Sequence, residues 1–321
     1  MMRFEFYTFA GEMISGAKII SYELTSDMGA ACDGLRVYFY TDLPPDDISD
    51  VFVFENGSKV FNGFADQFQL ALDQNGYTAF VYARSSAALL VDNEADPGQY
   101  DHPTSRQLWF ENARPFGFAF GLPEVFSDGS YVVNKGTSCF GAINSFMQYV
   151  CSKNIYVDAY NRVKVFEYSS NVKKLSENEI ISLSKTTDKS SVISRIDYKI
   201  NSADQYIYRL ESRKALSMGI RSRLLINLSS LPPWQRDAEA HRRISDSLCS
   251  LNTVKAVLSG SRSDLSLADR VRVSEERLGI NGIYYIYGMV RSKDQNGEKT
   301  VLTLRTETDG ELINYVAEQK F

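Results

Sequence analysis

Two stretches of the chain spell the same short module, and this repeat limits the possible folds more than any other feature. One copy runs from Asp50 to Arg84 as DVFVFENGSKVFNGFADQFQLALDQNGYTAFVYAR. The other runs from Asp269 to Arg305 as DRVRVSEERLGINGIYYIYGMVRSKDQNGEKTVLTLR. Each starts at an Asp, passes an Asn-Gly (Asn62-Gly63, Asn281-Gly282) and reaches the tetrapeptide DQNG. Each ends in Arg eight residues after the DQNG glycine. Asn-Gly accepts the positive φ of a two-residue hairpin loop between twisted strands. With Asn75-Gly76 as that loop, Leu72 faces Ala79, Leu70 faces Val81 and Phe68 faces Ala83, all on one side of the pleat. With Asn296-Gly297 as the second loop, Met289 faces Leu304, Arg291 faces Leu302 and Asp294 opposes Lys299. The competing reading is two unrelated meanders that use the same common turn. The matching upstream Asp and Asn-Gly favour duplication.

A chain of 321 residues has room for two or three domains and a core large enough to need no disulfide or metal. Nineteen Phe and nineteen Tyr lean toward strands. A net charge of −5, with no long Lys/Arg run, argues against binding nucleic acid through a basic surface. Cys32, Cys139, Cys151 and Cys249 show no metal or redox spacing, so reduced thiols are expected. The N-terminus lacks the apolar core of a signal peptide, and no apolar run approaches the ~20 residues that span a bilayer. Folding in a cytoplasm is therefore expected.

Before the first copy, RFEFYTFA and LRVYFYTD read as strands, so the first ninety residues suggest a small all-β barrel or sandwich. After Arg84 the pattern changes. SSAALLV reads as a helical turn, and a helix begins at Thr104 and stops by Pro115 and Gly117. A second helix begins at Thr137 or Ser138, with Phe140, Ile143, Met147 and Val150 on one face. Two strands then flank a turn at 159–162. SLSKTTDKSS (Ser182–Ser191) is the most linker-like run. SVISRIDYKI and QYIYRLES read as strands, and the stretch after Pro232-Pro233 as a helix with Asp237 and Glu239 near its start.

Candidate chemistry is sparse. His102 and His241 are the only histidines, and His241 beside Arg242-Arg243 reads as a surface residue. GxSxG, HExxH, Walker A, GxGxxG and EF-hand patterns are all missing. Forty acidic residues guarantee chance pairs, so a glycosidase reading gains nothing from composition. DNEADPGQYDH (Asp92–His102) offers Asp92, Glu94, Asp96 and Asp101 as hard ligands. It lacks the glycine and terminal Glu of a calcium loop, and its turn signals favour a solvated junction between structural units. No catalytic, cofactor or metal residue is assigned.

The run SKVFNGFADQFQLALDQNGYTAFVYARSSAALLVDNEA resembles the hub proteins of contractile phage tail baseplates. These are the Mu-type hub, the late control protein D group and the hub of PBSX-like prophages. The resemblance rests on Gly63-Phe64-Ala65-Asp66, Asn75-Gly76, Ala83-Arg84-Ser85 and Leu89-Leu90-Val91-Asp92. Pro115–Phe118, VDAYNRVKVFE and DLSLADRVRV…LGINGIYYIYGMV extend it over most of the chain. It implies a mainly β fold in which two tube-like β-barrels, 1–91 and 186–321, flank a smaller α+β part, 92–185. A helix at about 234–250 is inserted in the second barrel.

The resemblance also implies a homotrimer that adapts a sixfold tail tube to a threefold spike, with no enzymatic activity. Its expected partners are tube, central spike, baseplate wedge and tape-measure or LysM-type tail proteins, with DNA only as passing cargo. It places the protein in a virion tail baseplate assembled in a bacterial cytoplasm. Asp73, Gln74, Asn75, Asp294, Gln295 and Asn296, the two DQNG tips, are the candidate interface residues. A chain ending sixteen residues after Arg305 leaves no room for an added enzymatic domain. Two other readings are a carbohydrate- or host-surface-binding module, through Trp109, Trp234 and tyrosines, and a cell-wall hydrolase.

Overall fold

Strand follows strand at the N-terminus because apolar side chains alternate there with polar ones. The computed structural model describes residues 2–306 except 43, 45, 46, 75, 202–204, 230 and 232. Its first strands are β1 (Met2–Tyr7), β2 (Lys18–Asp27), β3 (Gly34–Thr41), β4 (Asp50–Glu55), β5 (Ser58–Asp73) and β6 (Gly76–Ser85). Next come α1 (Ala88–Asp92), β7 (Gly98–Tyr100), α2 (Ser105–Asn112), β8 (Ala119–Phe120), β9 (Tyr131–Val133), α3 (Cys139–Cys151), β10 (Ile155–Val157) and β11 (Arg162–Val165). Strands β12 (Val172–Lys174) and β13 (Ile180–Thr187) precede β14 (Arg195–Lys199), β15 (Tyr208–Glu211), α4 (Arg213–Ser217), β16 (Arg223–Asn227) and α5 (Pro233–Cys249). Strands β17 (Asn252–Ser259), β18 (Arg270–Glu275), β19 (Ile280–Asp294) and β20 (Gly297–Arg305) complete the order.

Twelve of these strands form one sheet, and the sheet is built twice. Its path is β1-β4-β5-β6-β3-β2-β19-β20-β17-β13, with β18 on β19 and β12 on β18. The first half therefore reads β1-β4-β5-β6-β3-β2 and the second β12-β18-β19-β20-β17-β13. Strand β2 joins them by pairing antiparallel with β19, Tyr22 opposite Lys293 through Asp27 opposite Gly288. Each half has its own core. Phe6, Leu35, Val37, Phe39, Val81 and Ala83 anchor the first, and Val254, Val271, Ile286, Leu302 and Leu304 the second. Burying a side chain of this size contributes roughly 1.5–3 kcal/mol.

The mainly β expectation holds, but no closed barrel is present among the described residues. The reason lies in strand lengths. Strand β18 covers β19 only over 280–285, and the free upper edge of β19 is taken by β2 of the other half. Hydrogen-bonding capacity that would close a barrel joins the halves instead.

Three readings of the strands and turns need correction. The hairpin registers are each two residues off. Asp73 pairs with Gly76 and Asp294 with Gly297, so Leu70 faces Ala79 and Met289 faces Leu302. Asp294–Gly297 acts as a four-residue turn, with Asp first and Gly last, a preference of type I turns. A two-residue shift preserves the face of every side chain, so the apolar pattern survived the wrong loop. Second, the linker-like Ser182–Ser191 run contains most of β13, a strand paired with β17. Its Ser, Lys and Thr residues disguise an edge strand with mostly solvent-facing side chains. Third, the Asn-Gly pairs of the two copies do not occupy equivalent rungs, since Val51 opposes Gly63 whereas Val273 opposes Gly282.

Better markers of duplication are the β-bulges. Asp66 in β5 and Tyr287 in β19 are each the extra residue of a bulge, ten residues before the hairpin glycine. Ile20 in β2 and Ile181 in β13 are matching bulges on the outer strands.

Two inserts hang from the sheet. Residues 90–165 pack around Leu108, Ile143, Phe146 and Met147 on α2 and α3. Thr104 caps α2 as its sequence suggests, and of Thr137 and Ser138 it is Ser138 that caps α3; they accept from the N–H of Gln107 and Gly141. Helix α5 lies on a second small sheet, β15-β14-β16, around Ile196, Leu210, Ile226 and Ile244. His241 on this helix is half-buried, not a surface residue, because α5 faces α3 as well as that sheet.

Candidate interaction surface

The two DQNG tips project from the same end of the sheet. Four antiparallel steps separate β5 from β19, so both long strands run in the same direction. Gln74, Gln295 and Asn296 are exposed, and Asn75 lies outside the described residues. Asp294 accepts from the Asn296 N–H at 2.7 Å and from Lys299 Nζ at 3.1 Å. These bonds, the backbone one first, hold its carboxyl below the usual range. The tips are four strand steps apart, roughly 19 Å at ~4.8 Å per step, so they are two separate features of that end.

At the opposite end, the arginine that closes each copy reaches the bulge of its own long strand. Arg84 donates to Asp66 at 2.6 and 3.1 Å and also to Asp92 at 3.0 and 2.8 Å. Hydrogen bonding from Arg84 holds the Asp92 carboxyl low. Arg305 instead lies over the Tyr287 ring, 3.4 Å from its centroid. Gly63 permits the close crossing nearby, since a Cβ there would sit 2.1 Å from the Arg84 carbonyl oxygen.

The Asp92–His102 stretch is pinned rather than free. Asp92 binds Arg84, Ala95 is buried with its N–H on Thr137 O, and Gly98–Tyr100 pairs with Tyr131–Val133. Asp101 and His102 meet at 3.0 Å on the exposed surface. Among the described residues, no group of three or more His, Cys, Asp or Glu is placed to hold a metal ion.

Two strand edges carry unused backbone groups. Strand β4 covers β5 only as far as Phe64, and beyond Ala65 no described strand lies on that edge. Among the described residues, strand β13 is paired with β17 on one side only. Leu72 is 68% exposed on the first edge and Ile181 62% exposed on the second. Long edges with apolar side chains are uncommon in free proteins, because they invite strand pairing between chains. The sequence hid both, one behind a hairpin and one behind a polar run.

The arrangement has known counterparts. The 43 kDa tail protein of prophage MuSo2 from Shewanella oneidensis superposes with a TM-score of 0.79 at 14% identity, covering 98% of this chain and all of that one. A tail protein from Neisseria meningitidis MC58 gives 0.76 at 15% identity, covering 95% and 96%. This chain has the fold of a prophage tail protein. An E. coli type VI secretion component, described as structurally similar to the T4 tail proteins gp27 and gp5, gives 0.62 at 10% identity, covering 99% and 80%. No protein-family model and no curated protein matches the sequence. The structural likeness agrees with the tail-hub resemblance read from the sequence.

Within this tail-protein fold, charged groups gather in a cavity and in the second insert. A cavity of about 950 Å³ lies where the half-sheets meet the first insert, with Asp33, Glu55, Tyr156 and Arg291 in its wall. Glu55 is buried, accepts from Ser261 Oγ and sits 3.9 Å from Arg291. Burial pushes the Asp33 carboxyl up to about 6, against a hydrogen bond from Ser26 and the charge of Arg291. In the second insert, buried Asp197 receives Arg195, Arg209 and Arg223. Burial raises its pKa, but the three arginines outweigh that and hold it below the usual range. Trp109 is turned inward, its indole N–H donating to Phe118 O at 3.1 Å, so it offers no open stacking platform. The Trp234 side chain lies outside the described residues.

Proposed function

We propose that this protein is the structural hub of a contractile tail baseplate in a phage or tail-like particle. In this reading it acts as a homotrimer that adapts a sixfold tail tube to a threefold central spike. The observation that carries the reading is the doubled six-strand order with matching bulges. Three chains of two near-equivalent halves present six similar units on one face while the assembly keeps threefold symmetry. The tube-like element is then a ring of open half-sheets around the assembly axis, rather than a barrel inside each half. The tail-protein fold supports the same reading.

The DQNG tips, at one end of the sheet, face the tube or another partner of sixfold character. The opposite end, with both inserts, faces the spike and wedge proteins. A net charge of −5 suits a channel through which DNA slides without sticking. The work asked of the protein is assembly, and no residue is assigned a catalytic role.

Light scattering on the purified protein should give three times the chain mass of 36.2 kDa, and negative-stain images should show rings with six lobes. A strict monomer at high concentration would refute the reading.

A further inference from the structure

We propose that the free upper edge of β5 in one copy receives β13 of a second copy, antiparallel, with Leu72 opposite Leu183 and Leu70 opposite Lys185. The inference deepens the proposed hub role, on which it rests, by naming the strands and register that join the copies.

The internal joint supplies the template. Strand β19 is paired with β18 over its lower part and with β2 over Gly288–Lys293. Its equivalent, β5, is paired with β4 over its lower part, and above that no described strand lies on its edge. Hairpin glycines Gly76 and Gly297 and the bulges at Asp66 and Tyr287 align the two strands, matching 67–72 to 288–293.

Strand β2 likewise corresponds to β13. Their bulges, Ile20 and Ile181, coincide when each is aligned through its inner neighbour. On that scale Leu35 and Val254 are equivalent, because they oppose Ala83 and Leu304. Leu24 faces Leu35 and Lys185 faces Val254, so residues 22–27 match 183–188. The exits agree as well: Asp27 accepts from the Gly29 N–H at 2.7 Å, and Asp188 accepts from the Ser190 N–H at 2.8 Å.

Carrying the β2–β19 register across sets Phe68 opposite Thr187, Leu70 opposite Lys185 and Leu72 opposite Leu183. The chemistry is complementary. At the internal joint Arg291 opposes Leu24, one cation facing one leucine. At the new joint Leu70 opposes Lys185, the same pairing with the partners exchanged. Leu72, 68% exposed in the single chain, gains an apolar neighbour. Phe68, Leu70 and Leu72 share the pleat face of Val81 and Ala79, so the first core continues across the boundary.

A second copy is the occupant because both halves of the joint are present in every chain but cannot meet within it. Strand β13 ends the sheet path, seven steps from β5. A contact between two different surfaces repeats from copy to copy and closes into a ring when the rotation allows.

Leu70→Lys should place a like charge opposite Lys185 at every joint of the ring and weaken assembly on the order of tenfold. Adding Lys185→Leu should restore assembly, since the pair then copies Arg291 and Leu24. Circular dichroism should show both variants folded. In oxidising conditions, Leu72→Cys with Leu183→Cys should give covalently linked trimers on a non-reducing gel, and neither single variant should. If Leu70→Lys leaves a normal trimer and the cysteine pair stays unlinked, the joint is wrong while the hub reading stands. Covalent dimers from Leu72→Cys alone would replace it with a β5-to-β5 pair. A wild-type monomer at every concentration would overturn both proposals.

Discussion

Asp197 takes three arginines, and its position illustrates how charge is spent in this molecule. The buried carboxylate sits on the central strand of the second insert and pairs with Arg195, Arg209 and Arg223. Removing it leaves three cations facing one another, so Asp197→Ala should cost about 3 kcal/mol in urea unfolding. Its folded pKa lies below that of the unfolded chain, about 3.9. This contribution is therefore present above pH ~4 and lost as the pH falls through the folded value. Asp33 has the opposite sign. Burial raises its folded pKa to about 6, so ionisation opposes folding as the pH rises from about 4 through 6. Asp33→Asn should stabilise the protein at pH 8 and change little at pH 4, measured by parallel melts. The acidic loop makes a weaker contribution. Changing Asp92, Glu94 and Asp96 together should leave the fold intact and remove up to ~1 kcal/mol, through loss of the partly exposed Arg84–Asp92 pair. Calcium or a chelator should shift neither melt.

At the level of elements, the doubled hairpin depends on its last turn residue. Gly297 has φ +104° and Gly76 φ +113°, in the region that favours glycine. Gly297→Ala should cost about 1 kcal/mol, visible as a lower unfolding midpoint. The bulges at Asp66 and Tyr287 show how equivalent elements diverge. The closing arginine finds a carboxylate in one copy and an aromatic ring in the other, while the backbone geometry stays the same. Edge strands differ from interior ones for a related reason. Strand β13 needs no apolar alternation while one neighbour supports it, so its sequence looks like a linker.

For the whole molecule, the open sheet matters more than either half. The joints proposed between copies would add stability through mass action. Its melting temperature should therefore rise with protein concentration in differential scanning fluorimetry, and Leu70→Lys should flatten that rise. A concentration-independent melt for the wild type would count against assembly.

Periodicity and turn chemistry alone determined much of this. The mainly β character, the helices that begin at Thr104 and at Thr137 or Ser138, the repeated hairpin and its apolar face all follow from side chains a few residues apart. The tail-hub resemblance was also legible, because its motifs sit on those same hairpins. Only the tertiary structure decided the register of the hairpins, the bulges that align the copies, and the use of β2 to join two open halves. Those outcomes depend on which distant strand packs along a free edge, and backbone hydrogen bonds carry no sequence signature. The Asp92–His102 stretch was likewise ambiguous until Arg84, eight residues upstream of Asp92, was seen to hold it.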